Sequence, residues 1–284
     1  MIIVTGATGT IGSDLVRLLS DAGREVRALT RDPGVQPDVP GVTWARGDLR
    51  DRPALTDLFD GGRTLFLLTG NTDDMVRLQQ NALGAAVEAG IGRVVKLSAL
   101  GATDHSKSVI GLWHYNVERA LRESGLGWTI LRPHHFMQNL LDPTVFDRKE
   151  GRVYSAAGDG AIPFIDTRDL ARVAATVLTE DVHDGEVYTL TGPEARSYRE
   201  ATEVLSRALD RPLQYVAQDV DEAWRWRRSR GQPSWLAAAQ LAIAAYQREG
   251  GPTERTTDTV ERIIGRPPAS LEAFANDKLE ELRA

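Results

Sequence analysis

A short apolar run, a turn with three glycines and the start of a helical pattern follow one another in the first twelve residues, MIIVTGATGTIG. The run at 2–4 is β-branched, which is typical of a buried strand. Gly6 permits a tight turn, Gly9 lets a pyrophosphate approach the backbone, and Gly12 lets a helix lie close to the strand. The N-terminus of that helix, near Thr10, offers N–H groups to phosphates. This order predicts a dinucleotide site. An ordinary tight turn is the alternative, because the spacing is GxxGxxG rather than GxGxxG.

Strands and helices alternate through the first half of the chain, and the run TLFLLT at 64–69 is apolar without a break. Such a run is expected of a central strand in a parallel sheet, because both of its faces are covered. We therefore predict an α/β fold, a Rossmann doubly wound parallel sheet with a small, mainly helical C-terminal substrate lobe. The predicted core is 1–150, and 151–284 is a mixed region that completes the sheet and forms the lobe. The predicted strands of the core are 2–4, 25–30, 41–46, 64–69, 93–98 and 128–132.

Beyond residue 133 the alternation weakens. A glycine-rich stretch at 153–165 predicts a loop or short hairpin, and 166–179 is an amphipathic helical pattern. A further strand is predicted at 187–191. Ser197, followed three residues later by Glu200, is the signature of a capping box at the start of another helix.

The composition excludes several functions. The formal net charge is −6, which argues against a nucleic-acid partner. The chain contains no cysteine, and therefore no disulfide, thiolate zinc site or cysteine nucleophile. His134 and His135 are adjacent but have no third ligand nearby, so no metal site is expected. No apolar stretch is long enough for a membrane span and the first strand leaves no room for a signal peptide, so we expect no membrane association and a cytoplasmic location.

The residue after the second predicted strand bears on which dinucleotide binds. NAD-binding proteins place an acidic residue at this point, where it accepts from the ribose hydroxyl. Here the strand ends at Thr30 and the next residue is Arg31. A guanidinium binds a 2′-phosphate through two hydrogen bonds, whereas a carboxylate repels it. The sequence predicts NADP(H), with a solvated Arg beside Asp32 as the alternative.

With these residues in view, the whole chain resembles the NmrA-like branch of the short-chain dehydrogenase superfamily. The bacterial NAD(P)H:quinone reductases and triphenylmethane-dye reductases are most similar in pattern. The stretches that carry the resemblance are VTGATGTIG, GDLRD, LFLLTG, KLSALGA, WHYNVERAL, WTILRPHHFMQN, DTRDLA and TDTVERIIGRPPASLEAF. The resemblance implies that residues of several of these stretches, together with Arg31, bind the cofactor. These are Gly6, Thr8, Gly9, Thr10, Ile11 and Gly12 at the pyrophosphate, Arg31 at the 2′-phosphate, Asp48 and Leu49 near the adenine, and Thr69, Gly70, Ser98, His114, Pro133 and Phe136 along the groove to the nicotinamide.

The chain departs from the superfamily at the catalytic pair. Short-chain dehydrogenases carry Tyr-x-x-x-Lys on the helix after the fifth strand, and this helix has Tyr115 and Arg119 instead. At about 100° per residue these two side chains point away from the predicted apolar stripe, which consists of Ile110, Trp113, Val117 and Leu121. His114 lies on the edge of that stripe. Its ordinary pKa of about 6.5 suits proton donation.

Three roles are open for His114: general acid, a hydrogen bond to the cofactor, or a satisfied helix histidine. The main functional prediction is an NADPH-dependent oxidoreductase that transfers hydride to a small apolar or aromatic acceptor such as a quinone, dye or conjugated ketone. The alternative is a non-catalytic redox sensor of the NmrA type. A sugar-nucleotide epimerase is weakened by the missing Tyr/Lys pair. The chain is expected to be a monomer or homodimer.

Aromatic residues of the second half are candidates for the acceptor pocket. Phe136, Trp224 and Trp235, together with Trp113, either wall such a pocket or are plain core. The segment AWRWRRSR at 223–230 interleaves tryptophan with arginine. Its helical spacing predicts that Trp224 faces the core or the substrate and that the arginines lie in water. A nucleic-acid surface is the less favoured interpretation.

Overall fold

The computed structural model describes residues 1–283, which divide into two compact units. The first unit comprises 1–106, 110–133 and 170–189. The second comprises 107–109, 134–169 and the chain from 190 onward. The strands are β1 Ile2–Val4, β2 Val26–Thr30, β3 Val42–Arg46, β4 Thr64–Leu67, β5 Arg93–Leu97, β6 Gly127–Pro133, β7 Phe146–Asp147, β8 Arg152–Ser155, β9 Glu186–Leu190 and β10 Gln214–Ala217. The helices are α1 Thr10–Asp21, α2 Arg52–Phe59, α3 Met75–Glu88, α4 Val109–Arg122, α5 Thr167–Thr179, α6 Tyr198–Leu209, α7 Val220–Ser229, α8 Ser234–Glu249, α9 Thr259–Ile264, α10 Leu271–Asp277 and α11 Leu279–Arg283.

A seven-stranded parallel sheet in the order β3-β2-β1-β4-β5-β6-β9 is the main feature of the first unit. Val4 of β1 is paired in register with Ala28 of β2 on one side and with Phe66 of β4 on the other. The strand order therefore reverses at β1, and the chain passes to β2 on one side and later to β4 on the other. In an open α/β sheet a ligand binds at the carboxyl ends of the strands at such a switch point. The predicted Rossmann fold is confirmed.

The central strands are apolar because helices cover both faces of the sheet. Leu65, Phe66 and Leu67 of β4 have no exposed surface. Leu65 and Leu67 pack with Leu55 and Phe59 of α2 in one continuous core. The unbroken run that predicted a buried parallel strand is thus explained by its position in the sheet.

The second unit has its own core and a small sheet in the order β10-β8-β7. Strand β8 pairs parallel with β10 and antiparallel with β7. Helix α6 packs on this unit and begins with the predicted capping box, in which Ser197 and Glu200 each bind the other's backbone N–H. The stretch at 153–165 opens with strand β8, so the hairpin starts before the predicted segment and its turn lies at 148–151.

The segment 170–189 belongs to the first unit because its strand, β9, is the last strand of the large sheet. The second half of the chain therefore completes the sheet, as its predicted strand at 187–191 indicated. The chain passes from the first compact unit to the second after residue 133. The linear division at 150 remains a prediction about domains. Among residues 1–283, no helix is both long and apolar enough to cross a membrane.

Candidate active site

The turn between β1 and α1 requires two of its three glycines for reasons internal to the chain. Gly6 has a φ of +64°, and a Cβ there would lie 2.8 Å from the carbonyl oxygen of Leu68. A Cβ on Gly12 would lie 2.1 Å from the carbonyl oxygen of Gly6. The tight turn and the close approach of α1 to β1 therefore exclude a side chain at both positions.

Gly9 is different, because the chain itself has room for a side chain there. A Cβ on Gly9 would meet only the carbonyl oxygen of Gly6, at an ordinary 3.4 Å. Gly9 is exposed and caps α1 without a side-chain hydrogen bond, and the first turn of α1 has no acidic residue. Thr8 and Thr10 are exposed on either side of it, whereas Ile11 is buried. The turn thus presents uncapped N–H groups over an open backbone, and this arrangement fits the diphosphate of a dinucleotide.

The carboxyl ends of β1 and β4 are joined beside this turn. The hydroxyl of Thr5 donates to the carbonyl of Leu68 at 2.9 Å and accepts from the N–H of Leu68 at 2.9 Å. Thr69 and Gly70 follow directly, and the Thr69 hydroxyl accepts from Gln79 of α3 at 2.8 Å. The sequence-predicted residues Thr69 and Gly70 therefore lie at the switch point, as a groove lined by both strands requires.

The residue that follows β2 has a guanidinium group without a side-chain or backbone partner among residues 1–283. Thr30 is the last residue of β2, and Arg31 is exposed directly after it. No hydrogen bond or ion pair joins the Arg31 side chain to another residue within 1–283. The neighbouring carboxylate of Asp32 instead accepts from the N–H of Gly34 in a short 3-10 turn. Arg31 is thus available to an anion, as the prediction of NADP(H) requires.

Asp48 and Leu49 follow β3, whose end is tied to β2 by a hydrogen bond from the N–H of Gly47 to the carbonyl of Thr30. Asp48 is half-buried and accepts from the backbone and side chain of Arg50. Leu49 packs against the core, and its carbonyl accepts from Asn81 of α3 at 2.9 Å. Both residues lie at the same edge of the sheet as Arg31 because parallel strands end on one side.

Helix α4 buries Ile110, Val117 and Leu121 of the predicted stripe, but it also buries polar residues that the stripe did not include. Its buried residues are Ile110, Gly111, His114, Val117, Glu118 and Leu121. His114 therefore lies within the buried stripe and not on its edge, whereas Trp113 is only half-buried. Arg119 is exposed, as predicted, but Tyr115 is half-buried, so the expectation that both are solvated is wrong for Tyr115. A helical stripe counted only from apolar residues omitted the two polar residues that this helix buries.

His114 contacts a residue that the sequence analysis did not single out. Lys96 of β5 is fully buried, and its Nζ lies 3.0 Å from His114 Nδ1. The same Nζ donates to the carbonyl of Leu97 at 3.1 Å. Burial lowers the pKa of Lys96 from 10.5 to about 7, although the charge of Glu118 opposes the shift. Burial, together with the charge of Lys96, also holds the pKa of His114 well below 6.5. The argument from an ordinary histidine pKa is therefore wrong, because His114 is neutral near pH 7.

The carboxylate of Glu118, which also lies on α4, accepts four hydrogen bonds from three residues. Glu118 accepts from the Ser98 hydroxyl at 2.5 Å, from both Nε and Nη2 of Arg132, and from Arg122 at 3.1 Å. Burial alone would raise the pKa of Glu118, but the hydrogen bonds from Arg132 and Ser98 outweigh it and lower that pKa. Glu118 is therefore a buried anion, and Ser98 directs its hydroxyl to this anion.

Lys96, Glu118 and Arg132 are the site residues that sequence reasoning missed. Lys96 lies in the apolar strand RVVKLS, and Arg132 lies in the apolar strand WTILRP. The charged side chain of each must either be buried or extend to the end of its strand. A charged residue in the middle of a run typical of a central strand was the signal that could have found them, since such residues are rarely buried without a partner.

Pro133 ends β6, and its carbonyl accepts from the N–H of Leu100 after β5. Phe136 belongs to the second unit and pairs with Ile165 in an isolated parallel bridge. Nearby in that unit, His135 Nε2 lies 2.9 Å from the Tyr198 hydroxyl and 3.2 Å from Asn139 Nδ2. These contacts give Asn139 a structural role. Within residues 1–283, no cluster of three potential ligands could hold a metal ion.

The arginine-rich helix α7 is only partly solvated. Trp224 packs against the core of the second unit, as predicted. Arg227 is half-buried and donates to the Thr144 hydroxyl at 3.3 Å, so the expectation that the arginines lie in water is wrong for this one. The guanidinium of Arg230 stacks 4.1 Å from the ring centroid of Trp226 and pairs with an aspartate of β7.

The sequence matches the NmrA-like family over residues 1–224. With the switch-point geometry described above, this match places the protein among the dinucleotide-binding α/β proteins. The chain belongs to the NmrA-like family.

Three related proteins show what such a chain resembles over its full length. It is 36% identical to the NAD(P)H azoreductase of Xenophilus azovorans, covering 97% of this chain and 96% of that protein. It is 36% identical to the (4-alkanoyl-5-oxo-2,5-dihydrofuran-3-yl)methyl phosphate reductase of Streptomyces griseus, covering 99% of this chain and 98% of that protein. Its fold matches the NADPH-dependent quinone oxidoreductase of Escherichia coli, solved with NADPH, with a TM-score of 0.88 at 26% identity over 98% of this chain and 99% of the other.

Proposed function

We propose that this protein is an NADPH-dependent reductase that transfers hydride to a flat, apolar acceptor such as a quinone, a dye or a conjugated ketone. The coarser assignment, an oxidoreductase that uses NAD(P)H, is carried by family membership and by full-length relatives named as reductases. The observation that supports it from within the chain is the open turn at Gly9. There the chain has room for a side chain, yet leaves the backbone bare beside uncapped N–H groups.

The proposed cofactor residues divide by the part of the dinucleotide that each would hold. The turn Gly6–Gly12 would hold the diphosphate through backbone N–H groups. Arg31 would bind the 2′-phosphate, since its guanidinium has no partner within residues 1–283. Asp48 and Leu49 would lie near the adenine. Thr69, Gly70, Ser98, His114, Pro133 and Phe136 would line the path to the nicotinamide.

The bound NADPH supplies the hydride, and the chain supplies position and a proton donor. His114 is the proposed donor. Lys96 donates to its Nδ1 when charged, and the neutral ring then carries its own proton on Nε2. Nε2 has no hydrogen-bond partner within residues 1–283 and is therefore available to a ligand. A neutral imidazole donates a hydrogen bond and stabilises a developing oxyanion or nitrogen anion without being an imidazolium.

One assay separates this reductase from a sensor that only binds the dinucleotide. The protein is mixed with NADPH and a panel of quinones and dyes, and the absorbance of the reduced cofactor is followed. Turnover that falls in His114→Gln but not in the matched control Tyr115→Phe is expected. Tight binding of NADPH and NADP⁺ without turnover of any acceptor would instead assign the protein to the sensor class.

A further inference from the structure

The buried pair Lys96 and His114 is unusual in its surroundings. Lys96 has no exposed surface and lies in β5, paired in register with Leu67 of β4 and Ile130 of β6. An apolar side chain at this point of the sheet would pack without the cost of burying an amine. The amine instead lies against an imidazole at 3.0 Å.

The carboxylate nearest this pair does not form an ion pair with the amine. Glu118 of α4 is held by Ser98 of β5, Arg132 of β6 and Arg122 of α4. No carboxylate oxygen lies within ion-pair distance of Lys96 Nζ among residues 1–283. Glu118 favours the charged form of Lys96, Arg132 disfavours it, and burial disfavours it most. The closest side-chain partner of the Lys96 amine is therefore His114.

We propose, on the basis of the proposed reductase function, that Lys96 is a positioning residue that sets the tautomer of His114 and replaces the proton that His114 gives to the acceptor. Bound NADPH would supply the hydride and become NADP⁺, so a neutral acceptor would gain two electrons and become an anion. The N–H bond at His114 Nε2 breaks, and its proton joins the acceptor. In the same step Nδ1 takes a proton from Lys96 Nζ, which becomes a neutral amine, so no imidazolate is formed.

The cycle closes through the same two groups. After the product leaves, a water molecule protonates His114 Nε2, and the proton on Nδ1 returns to Lys96. The chain thus ends each turnover in its starting state with one proton taken from solvent. The supply of protons requires the ammonium form of Lys96. Since burial lowers its pKa to about 7, the supply weakens as the pH rises through neutrality.

The test uses three acceptors whose reduction products differ in their need for a proton, and each variant is compared with the wild type on the same acceptor. A cationic triarylmethane dye becomes neutral on receiving hydride and needs none. A quinone becomes a phenolate, and an azo dye becomes a more basic nitrogen anion. In Lys96→Met, kcat is expected to fall at least about 10-fold with the azo dye, less with the quinone and not with the cationic dye. The exposed Lys107→Met is the control. NADPH binding, followed by its fluorescence, is expected to be unchanged in both variants.

A second measurement does not depend on activity. Nitrogen-15 NMR of the cofactor-free protein, with the His114 signal assigned by its loss in His114→Gln, reports the tautomer of the ring. We expect the Nε2–H form in the wild type and a mixture of tautomers in Lys96→Met. Lys96→Arg, which holds its charge but cannot release a proton, is expected to keep the Nε2–H form and still lose turnover with the azo dye.

The outcomes separate the two proposals. A wild type that reduces none of the three acceptors would overturn the reductase function, and the relay with it. A wild type that reduces all three, with Lys96→Met equal to it on the azo dye, would overturn the relay alone. An Nδ1–H tautomer in the wild type would also overturn the relay, whatever the activities.

Discussion

Replacing Lys96 with methionine should stabilise the protein at neutral pH, even though it removes hydrogen bonds. In the unfolded chain the amine has its ordinary pKa of 10.5, and in the folded protein burial lowers this pKa to about 7. At about 1.4 kcal/mol for each pH unit between the two values, the charged amine costs the fold about 5 kcal/mol. Methionine has a similar length, is apolar and adapts to irregular space. The lost contacts with Leu97 and His114 offset part of the gain, so we expect an increase of about 2 to 4 kcal/mol.

The sign of the pH dependence follows from the same two values. Below pH 7 both states hold the proton, and the full cost is present. Between about pH 7 and 10.5 the unfolded chain binds the proton and the folded protein does not, so the free energy of unfolding of the wild type rises by about 1.4 kcal/mol per pH unit relative to the variant. Above 10.5 both amines are neutral and the cost is gone. Because the pKa of His114 lies well below 6.5, its titration does not enter this window.

The measurement is urea unfolding of the wild type, Lys96→Met and Lys107→Met without cofactor, at pH values from about 6 to about 10. The difference between wild type and Lys96→Met should stay constant up to about pH 7 and shrink steadily above it. The difference between wild type and Lys107→Met should stay constant, since Lys107 is exposed on the second unit. Parallel curves for the wild type and Lys96→Met would show that the amine titrates alike in both states. That result would refute the argument from burial.

Three further predictions concern the cofactor turn, the cofactor choice and the buried carboxylate. Gly12→Ala should lower the free energy of unfolding by about 1 to 3 kcal/mol or more, because its Cβ would lie 2.1 Å from a carbonyl oxygen. Gly9→Ala should have the same free energy of unfolding as the wild type but should bind NADPH more weakly. Equal stability of the two variants in urea would contradict this prediction. Arg31→Asp should weaken NADPH binding about 10- to 100-fold in a fluorescence titration and leave NADH little changed, with the exposed Arg63→Asp at the amino end of β4 as control. Equal losses for both cofactors would exclude the assignment of the 2′-phosphate. Glu118→Gln should lower the free energy of unfolding by about 3 to 5 kcal/mol, because it leaves arginines without their carboxylate. An unchanged free energy of unfolding would show that the anion is not buried.

Local patterns predicted most of the fold because they report directly on the chain's own geometry. The β-branched run at the start, the glycine turn and the following helix each depend on residues next to one another. The unbroken run TLFLLT predicted a central strand, and β4 is that strand. The small sheet of the second unit was missed in part because β7 has only two residues and β10 four, and such lengths carry little periodicity.

The candidate site was only partly predictable because its chemistry depends on residues far apart in sequence. The position of Arg31 was predicted from the end of β2 alone. The contact between Lys96 and His114 joins a strand to the following helix across 18 residues, and no period links such residues. The face of α4 was assigned from apolar residues, so Glu118 was omitted although it is fully buried. The pKa of His114 is lowered by its burial and then by the charge of Lys96, and the sequence revealed neither.

The cost of the buried amine bears on the choice between a reductase and a sensor. A protein that only binds the dinucleotide needs the open turn at Gly9 and the free guanidinium of Arg31. Neither requirement places an ammonium inside the sheet, where an apolar residue would stabilise the fold by several kcal/mol. Departures from the rules of packing are expected where chemistry requires them. Proton transfer requires a donor whose pKa lies near the working pH, and the pKa of Lys96, about 7, meets that requirement. The proposed relay, in a reaction that consumes a proton, accounts for an amine that weakens the fold, whereas binding alone gives no reason for it.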